Sequence, residues 1–118
     1  LTEPRLKSRF RVQAALREAQ GRGSFGAVVR PGDDDAGGII LLLRARDGLI
    51  TILGEARTQD GAPAWVRTAG GQPVDPMAAE AYTAREIARD PDLWVVEFDA
   101  ENGRPPFEAT LLPPRHGG

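Results

Sequence analysis

The sequence predicts an α+β fold, a mainly antiparallel five-stranded sheet (a β-meander plus a crossover strand) with two helices packed on one face. Three observations carry this reading. Two Asp-Gly dipeptides, Asp47-Gly48 and Asp60-Gly61, separate apolar runs at hairpin spacing, so the middle of the chain reads as a meander. Helix-compatible stretches flank that meander on both sides. A further apolar run, Leu93 to Asp99, follows the second of them and returns the chain to the sheet.

Taken in order, Thr2 can cap a helix from about Pro4 to Gln20, with Gly21 closing it. Its apolar residues fall on two strips, Leu6, Phe10 and Ala14 against Val12, Ala15, Leu16 and Ala19, so amphipathicity is moderate. Phe25 to Arg30 is the first strand, and the run from Pro31 to Gly38 is a loop of turn-forming residues.

The central hairpin follows, with Asp47 and Gly48 as a two-residue type I′ turn. In that register Arg46 faces Leu49, Leu43 faces Ile52 and Leu41 faces Gly54. Alternation then gives one face to Ile39, Leu41, Leu43, Ala45, Ile50, Ile52, Gly54 and Ala56, which is free of charge and must be core. The same treatment of Asp60-Gly61 pairs Ala56 with Trp65 in a fourth strand, Ala62 to Thr68, and lays the indole over Gly54.

Asp75 caps the second helix, with Pro76 at its first position and Pro91 as its stop. Met77, Ala81, Ala84 and Ala88 form its expected sheet-facing stripe. The strand order 5-1-2-3-4 keeps the meander intact. Phe107 to Leu112 can add a short edge strand at most, because Pro105, Pro106, Pro113 and Pro114 bracket it. Residues 1–3 and 113–118 read as frayed ends of a single domain spanning 1–118.

Composition bounds the function classes. A chain of 118 residues, 41% hydrophobic and 27% charged, has the make-up of an ordinary globular domain. The absence of cysteine excludes disulfides and thiolate chemistry. Leu1 stands where an initiator Met is expected, so either the natural start lies upstream or the chain is trimmed. No apolar run is long enough to span a membrane and no signal segment opens the chain, which points to the cytoplasm. The net charge of −2 is uneven. Residues 1–30 hold seven basic groups (Arg5, Lys7, Arg9, Arg11, Arg17, Arg22, Arg30) against Glu3 and Glu18, for +5, and the rest of the chain carries −7.

Three segments resemble a known family: Thr2-Glu-Pro-Arg-Leu-Lys-Ser8, the run from Ala27 to Gly37, and Asp90-Pro-Asp-Leu-Trp-Val-Val-Glu97. They are similar, in the same order, to segments of small alphaproteobacterial proteins classed as domain of unknown function 1491. The resemblance implies a bacterial cytoplasmic single domain and brings no functional residues with it.

Chemistry-bearing patterns are few. Asp33, Asp34 and Asp35 can form a cation-binding loop or an acidic turn, and the topology would gather them with Asp60 at one acidic edge. Asp47 with Glu55-Ala-Arg57 resembles a nuclease pattern, as does the order of elements. Arg57 stands in place of the needed lysine, however, and Asp47 lies at the far end of the hairpin from Glu55. With His116 the only histidine, no catalytic triad forms and no catalytic residue is assigned. Gly21-x-Gly23-x-x-Gly26 follows a helix and precedes a strand, the reverse of a phosphate cradle. The basic groups of the first helix scatter around it, which weighs against nucleic acid. No cofactor and no metal site is assigned.

The remaining reading is a binding or structural module acting through protein contacts. The alternatives are a carboxylate-based metal-dependent enzyme, hydrolase or nuclease-like, and weak nucleic-acid binding through the basic first helix. With both helices on the wholly apolar face, Ile40, Leu42, Leu53 and Val66 remain on the other, beside Arg44 and Glu55. That mixed face suits a homodimer. The competing cover is one of the helices, or the C-terminal segment with Phe107, folded back over it.

Overall fold

The computed structural model describes residues 7–114. Two near-continuous apolar runs set the architecture: Ile39–Arg44 (β2) and Trp94–Asp99 (β5). A strand apolar on both faces must be covered on both, so these two take interior places in the sheet and pair in parallel, Leu41 beside Val96. Around them lie α1 (Ser8–Gly21), β1 (Gly26–Arg30), β3 (Ile50–Arg57), β4 (Pro63–Arg67), a single 3₁₀ turn at Ala69–Gly71, α2 (Pro76–Arg89) and β6 (Leu111–Leu112). The order across the sheet is β1-β5-β2-β3-β4-β6. The sheet therefore has six strands, not the expected five, and it is mixed: β2–β5 and β4–β6 are parallel, the other pairs antiparallel.

The expected order fails at one point. β5 inserts between β1 and β2, because its apolar run needs a central place that the half-exposed β1 does not. The loop at 31–38 carries the chain past β5 and is pressed against it. A Cβ on Gly32 or on Gly37 would lie 2.1 Å from the Asp92 carbonyl oxygen, so neither position accepts a side chain.

Both Asp-Gly turns are one residue longer than expected. Arg46-Asp47-Gly48 and Gln59-Asp60-Gly61 are three-residue loops, closed by Ala45 N–H to Leu49 O at 3.0 Å and by Thr58 N–H to Ala62 O at 2.9 Å. Gly48 and Gly61 close these loops with φ of +87° and +86°, the left-handed position of such loops. The first slip moves β3 to the opposite parity: Leu42 pairs with Ile52 and Leu41 with Leu53. The second pairs Trp65 with Glu55 instead of Ala56. The two slips cancel, so Trp65 still falls on the face of Leu41. It is half-buried there against Phe107, and Gly54 lies on the other face.

The helices do not share a face. Val12 and Ala19 of α1 pack with Ile39, Leu41, Leu43, Leu53, Val96 and Phe98. Ala79 of α2 packs with Ile40, Leu42, Ile50, Ile52, Leu93 and Val95. Each face of the apolar pair β2–β5 thus receives one helix. Asp75 caps α2 as its type requires, its carboxylate accepting from Ala78 N–H at 2.8 Å. The stripe toward the sheet is Ala79 and Thr83, not Met77, Ala81, Ala84 and Ala88, which are exposed. Thr83 is tolerated inside because its hydroxyl donates to Ala79 O at 3.1 Å. The described part of α1 starts at Ser8. Thr2, Pro4, the frayed ends at 1–3 and everything after Pro114 lie outside the described residues.

Candidate functional site

The acidic run is spent on structure. The Asp33 carboxylate accepts from Asp35 N–H at 3.1 Å and Ala36 N–H at 2.9 Å, folding its own turn. The Asp34 and Asp35 carbonyls accept from Arg9 N–H (3.0 Å) and Ser8 N–H (3.3 Å), two of the orphan donors at the start of α1. The Ser8 hydroxyl donates to Gly37 O at 2.6 Å, and the Trp94 indole N–H donates to Asp33 O at 2.7 Å. Three aspartates at a helix N-terminus also complement its dipole. The register puts the Asp60 turn at the same end of the sheet. Its carboxylate accepts from the Thr58 hydroxyl, and that bond holds Asp60 below the ordinary carboxylate range. Among the described residues no three Asp, Glu or His side chains converge closely enough to hold a metal ion.

The nuclease-like residues stay apart. Asp47 lies in the β2–β3 turn and accepts from Leu49 N–H, whereas Glu55 lies at the opposite end of β3. Glu55 accepts from Ile39 N–H at 2.8 Å and pairs with Arg11, tying α1 to the sheet. Arg57 donates to Gly61 O.

The expected dimer face is closed. Ile40 is 5% exposed, Leu42 7% and Leu53 0%, and Leu53 belongs to the α1 face with Glu55, not to the face of Leu42. Val66 is half-buried opposite Gly54 and beside Leu112. Arg44 remains near the surface, paired with Glu97 at 3.2 Å, and that bond raises its already high pKa. The physical cause is the one-helix-per-face arrangement: α2 takes the area that the sequence reading left to a partner.

What stays open is the β1 edge, which the sequence reading did not single out. Phe25 is 68% exposed and Val29 58%. Asp99 N–H donates to Phe25 O, so alternation along the antiparallel pair turns Phe25 and Ala27 toward β5 for hydrogen bonding. The N–H and C=O of Gly26 and Val28 then point away from the sheet. A bulge at Val29 ends the regular edge. Gly26 is required there: a Cβ would sit 2.5 Å from the Phe98 ring and 2.9 Å from Leu16. The available sequence signal was a strand with no charge between Ser24 and Arg30 beside a helix rich in arginine.

A groove of 460 Å³ runs along this edge, lined by Gln13, Leu16, Arg17 and Gln20 of α1 with Ser24, Phe25 and Gly26. On the other side of Phe25 lies a second groove of 570 Å³, with Arg44, Arg46 and Glu101 among its walls. An apolar cleft of 260 Å³ opens at the opposite flank of α1, over Leu41, Trp65 and Phe107.

Comparison with known proteins places this geometry. The model of a family described as "Protein of unknown function (DUF1491)" matches residues 6–108. The chain belongs to the DUF1491 family. Similar chains of known structure have the same fold, the two from Caulobacter being DUF1491 family proteins. A crystal structure from Caulobacter crescentus CB15 is 29% identical with a TM-score of 0.79, covering 92% of this chain and all of that one. An NMR structure from the same organism gives 29% and 0.77, over 93% of this chain and 99% of that one. The solution structure of Atu0922 from A. tumefaciens gives 28% and 0.76, over 95% of this chain and 100% of that one. No curated protein matches the chain. No described helix of this DUF1491 member is long and apolar enough to cross a membrane.

Proposed function

We propose that this DUF1491 chain is a protein-binding module that takes a partner on the β1 edge by strand addition. The observation that carries the reading is the conjunction at that edge. Outward backbone groups of Gly26 and Val28 stand between two exposed apolar side chains, Phe25 and Val29. Strand addition uses main-chain hydrogen bonds for affinity and side-chain grooves for selectivity, and both are present. The metal-enzyme alternative is weaker, because the carboxylates of the acidic loop and of Glu55 are held by local backbone donors and by Arg11. The nucleic-acid alternative is weaker too. Lys7, Arg11 and Arg22 are paired with acids, and Arg30 donates to the Leu93 and Pro91 carbonyls.

Selection of an unbiased peptide library on the immobilised chain tests the reading, with Val28→Pro as the counter-target. The substitution removes an outward N–H and no internal bond, and proline is tolerated at sheet edges. Extended peptides enriched on the native chain and lost on the variant are expected. Enrichment that Val28→Pro leaves untouched would contradict the edge as the site.

A further inference from the structure

We propose that the partner strand is acidic: an extended segment of another protein whose carboxylates alternate with apolar residues. This rests on the reading of β1 as the binding edge and adds the chemistry of its occupant.

The two sides of an added strand would meet different surroundings. On the α1 side, Gly26 and Val28 share a face with Val96 and Phe98, and the groove above them is walled by Leu16, Arg17 and Gln20. Arg9 and Arg17 are exposed, and among the described residues neither pairs with an acid. On the other side, Ala27 pairs with Glu97, and Phe25 is bonded to Asp99. That side carries a large exposed ring, and its charges are largely matched already, Glu97 by Arg44 and Glu101 by Arg46. Side chains of an added strand alternate. Those turned toward α1 meet the Arg17 guanidinium in the groove, with Arg9, stacked on Phe10, further along the helix, and favour carboxylates; those turned the other way meet Phe25 and favour apolar groups.

The same charges decide against a second copy as occupant. Antiparallel pairing of β1 with itself sets a two-fold axis perpendicular to the sheet, so both α1 helices lie side by side on one face. Arg9 and Arg17 of each copy would then face a basic helix, a like-charge contact with no acidic relief on that flank. The bulge at Val29 also confines regular pairing to a short stretch around Gly26 and Val28, which fits a short linear segment better than a long self-paired edge.

The test is fluorescence anisotropy at low salt with two labelled heptapeptides, one alternating glutamate with valine and one alternating lysine with valine. The chains are native, Arg9→Glu/Arg17→Glu, and Val28→Pro, each first shown to melt like the native protein. The native chain is expected to bind the glutamate peptide and not the lysine peptide. The double variant should weaken the glutamate peptide about tenfold or more and gain the lysine peptide. Val28→Pro should lose the glutamate peptide. Equal binding of the two peptides, lost with Val28→Pro, would overturn the acidic partner and leave the edge intact. Binding that survives Val28→Pro would overturn the edge itself. Failure of both peptides, or self-association of the native chain that Val28→Pro abolishes, would also overturn the proposal.

Discussion

The two outer edges of the sheet face the same hazard and are built differently. At one edge β6 contributes two residues, Leu111 and Leu112, with Pro113 and Pro114 directly behind and Pro105 and Pro106 ahead. It is tied in by Trp65 N–H to Thr110 O at 2.8 Å, and its approach is pinned by Phe107, packed on Trp65 and Phe98. Prolines cannot donate to a neighbour, so little of that edge can be extended. At the other edge β1 has no proline, its outward groups lie at Gly26 and Val28, and Val29 and the adjoining Phe25 stand in solvent with basic residues of α1 above. A free strand edge is ordinarily blunted because it templates aggregation. Here one edge is blunted and the other is stopped only by a bulge, and that asymmetry is the basis for assigning binding to β1.

The largest expected effect is at the protected edge. Phe107 is 8% exposed and holds the C-terminal segment to the α1 face. Phe107→Ala should cost about 3 kcal/mol or more in thermal or urea unfolding, and releasing β6 should add aggregation as β4 is uncovered. A variant that melts normally and stays soluble would show that β6 does not protect the sheet.

At the open edge, Gly26→Ala should cost about 2 kcal/mol, because its methyl meets the Phe98 ring and Leu16 in a filled core. Unchanged stability would mean that β1 is not seated as described. A smaller effect separates binding from folding. Val29→Thr should change stability by less than about 0.5 kcal/mol, since Val29 is solvent-exposed, while reducing peptide capture at the edge. The smallest effect concerns the β3–β4 turn, which leads to the protected edge. Asp60 has a depressed folded-state pKa, so its contribution is present above the unfolded carboxylate value and is lost as pH falls through the folded one. Asp60→Asn should therefore flatten a small part of the acid limb of the melting profile and leave neutral pH almost unchanged.

Much of this asymmetry could be read from residues. Pro105, Pro106, Pro113 and Pro114 announced a short, blunted strand, and Asp75-Pro76 marked the start of α2. The hairpins were legible as hairpins, but Asp-Gly serves both a two-residue turn and the last two positions of a three-residue loop. That ambiguity moved β3 by one register and inverted its faces. The place of β5 was signalled by Leu93-Trp-Val-Val, apolar on both parities, a pattern that belongs to a central strand. The face of α2 was not legible, because its alanines fit either side and the buried Thr83 satisfies its own hydroxyl within the helix. The open edge followed only once β5 had displaced β1 to the rim. Until then, Phe25 and Val29 read as ordinary strand residues.

Amide hydrogen exchange at β1 tests the central claim most directly, comparing Val28 with its neighbour Ala27 in dilute native chain. Ala27 faces β5 across from Glu97 and should be protected, whereas Val28 points outward and should exchange rapidly. Adding the glutamate–valine peptide should slow Val28 and leave Ala27 as it was. Protection of Val28 equal to that of Ala27 in the dilute chain alone would contradict an open edge, and no slowing with peptide would contradict strand addition.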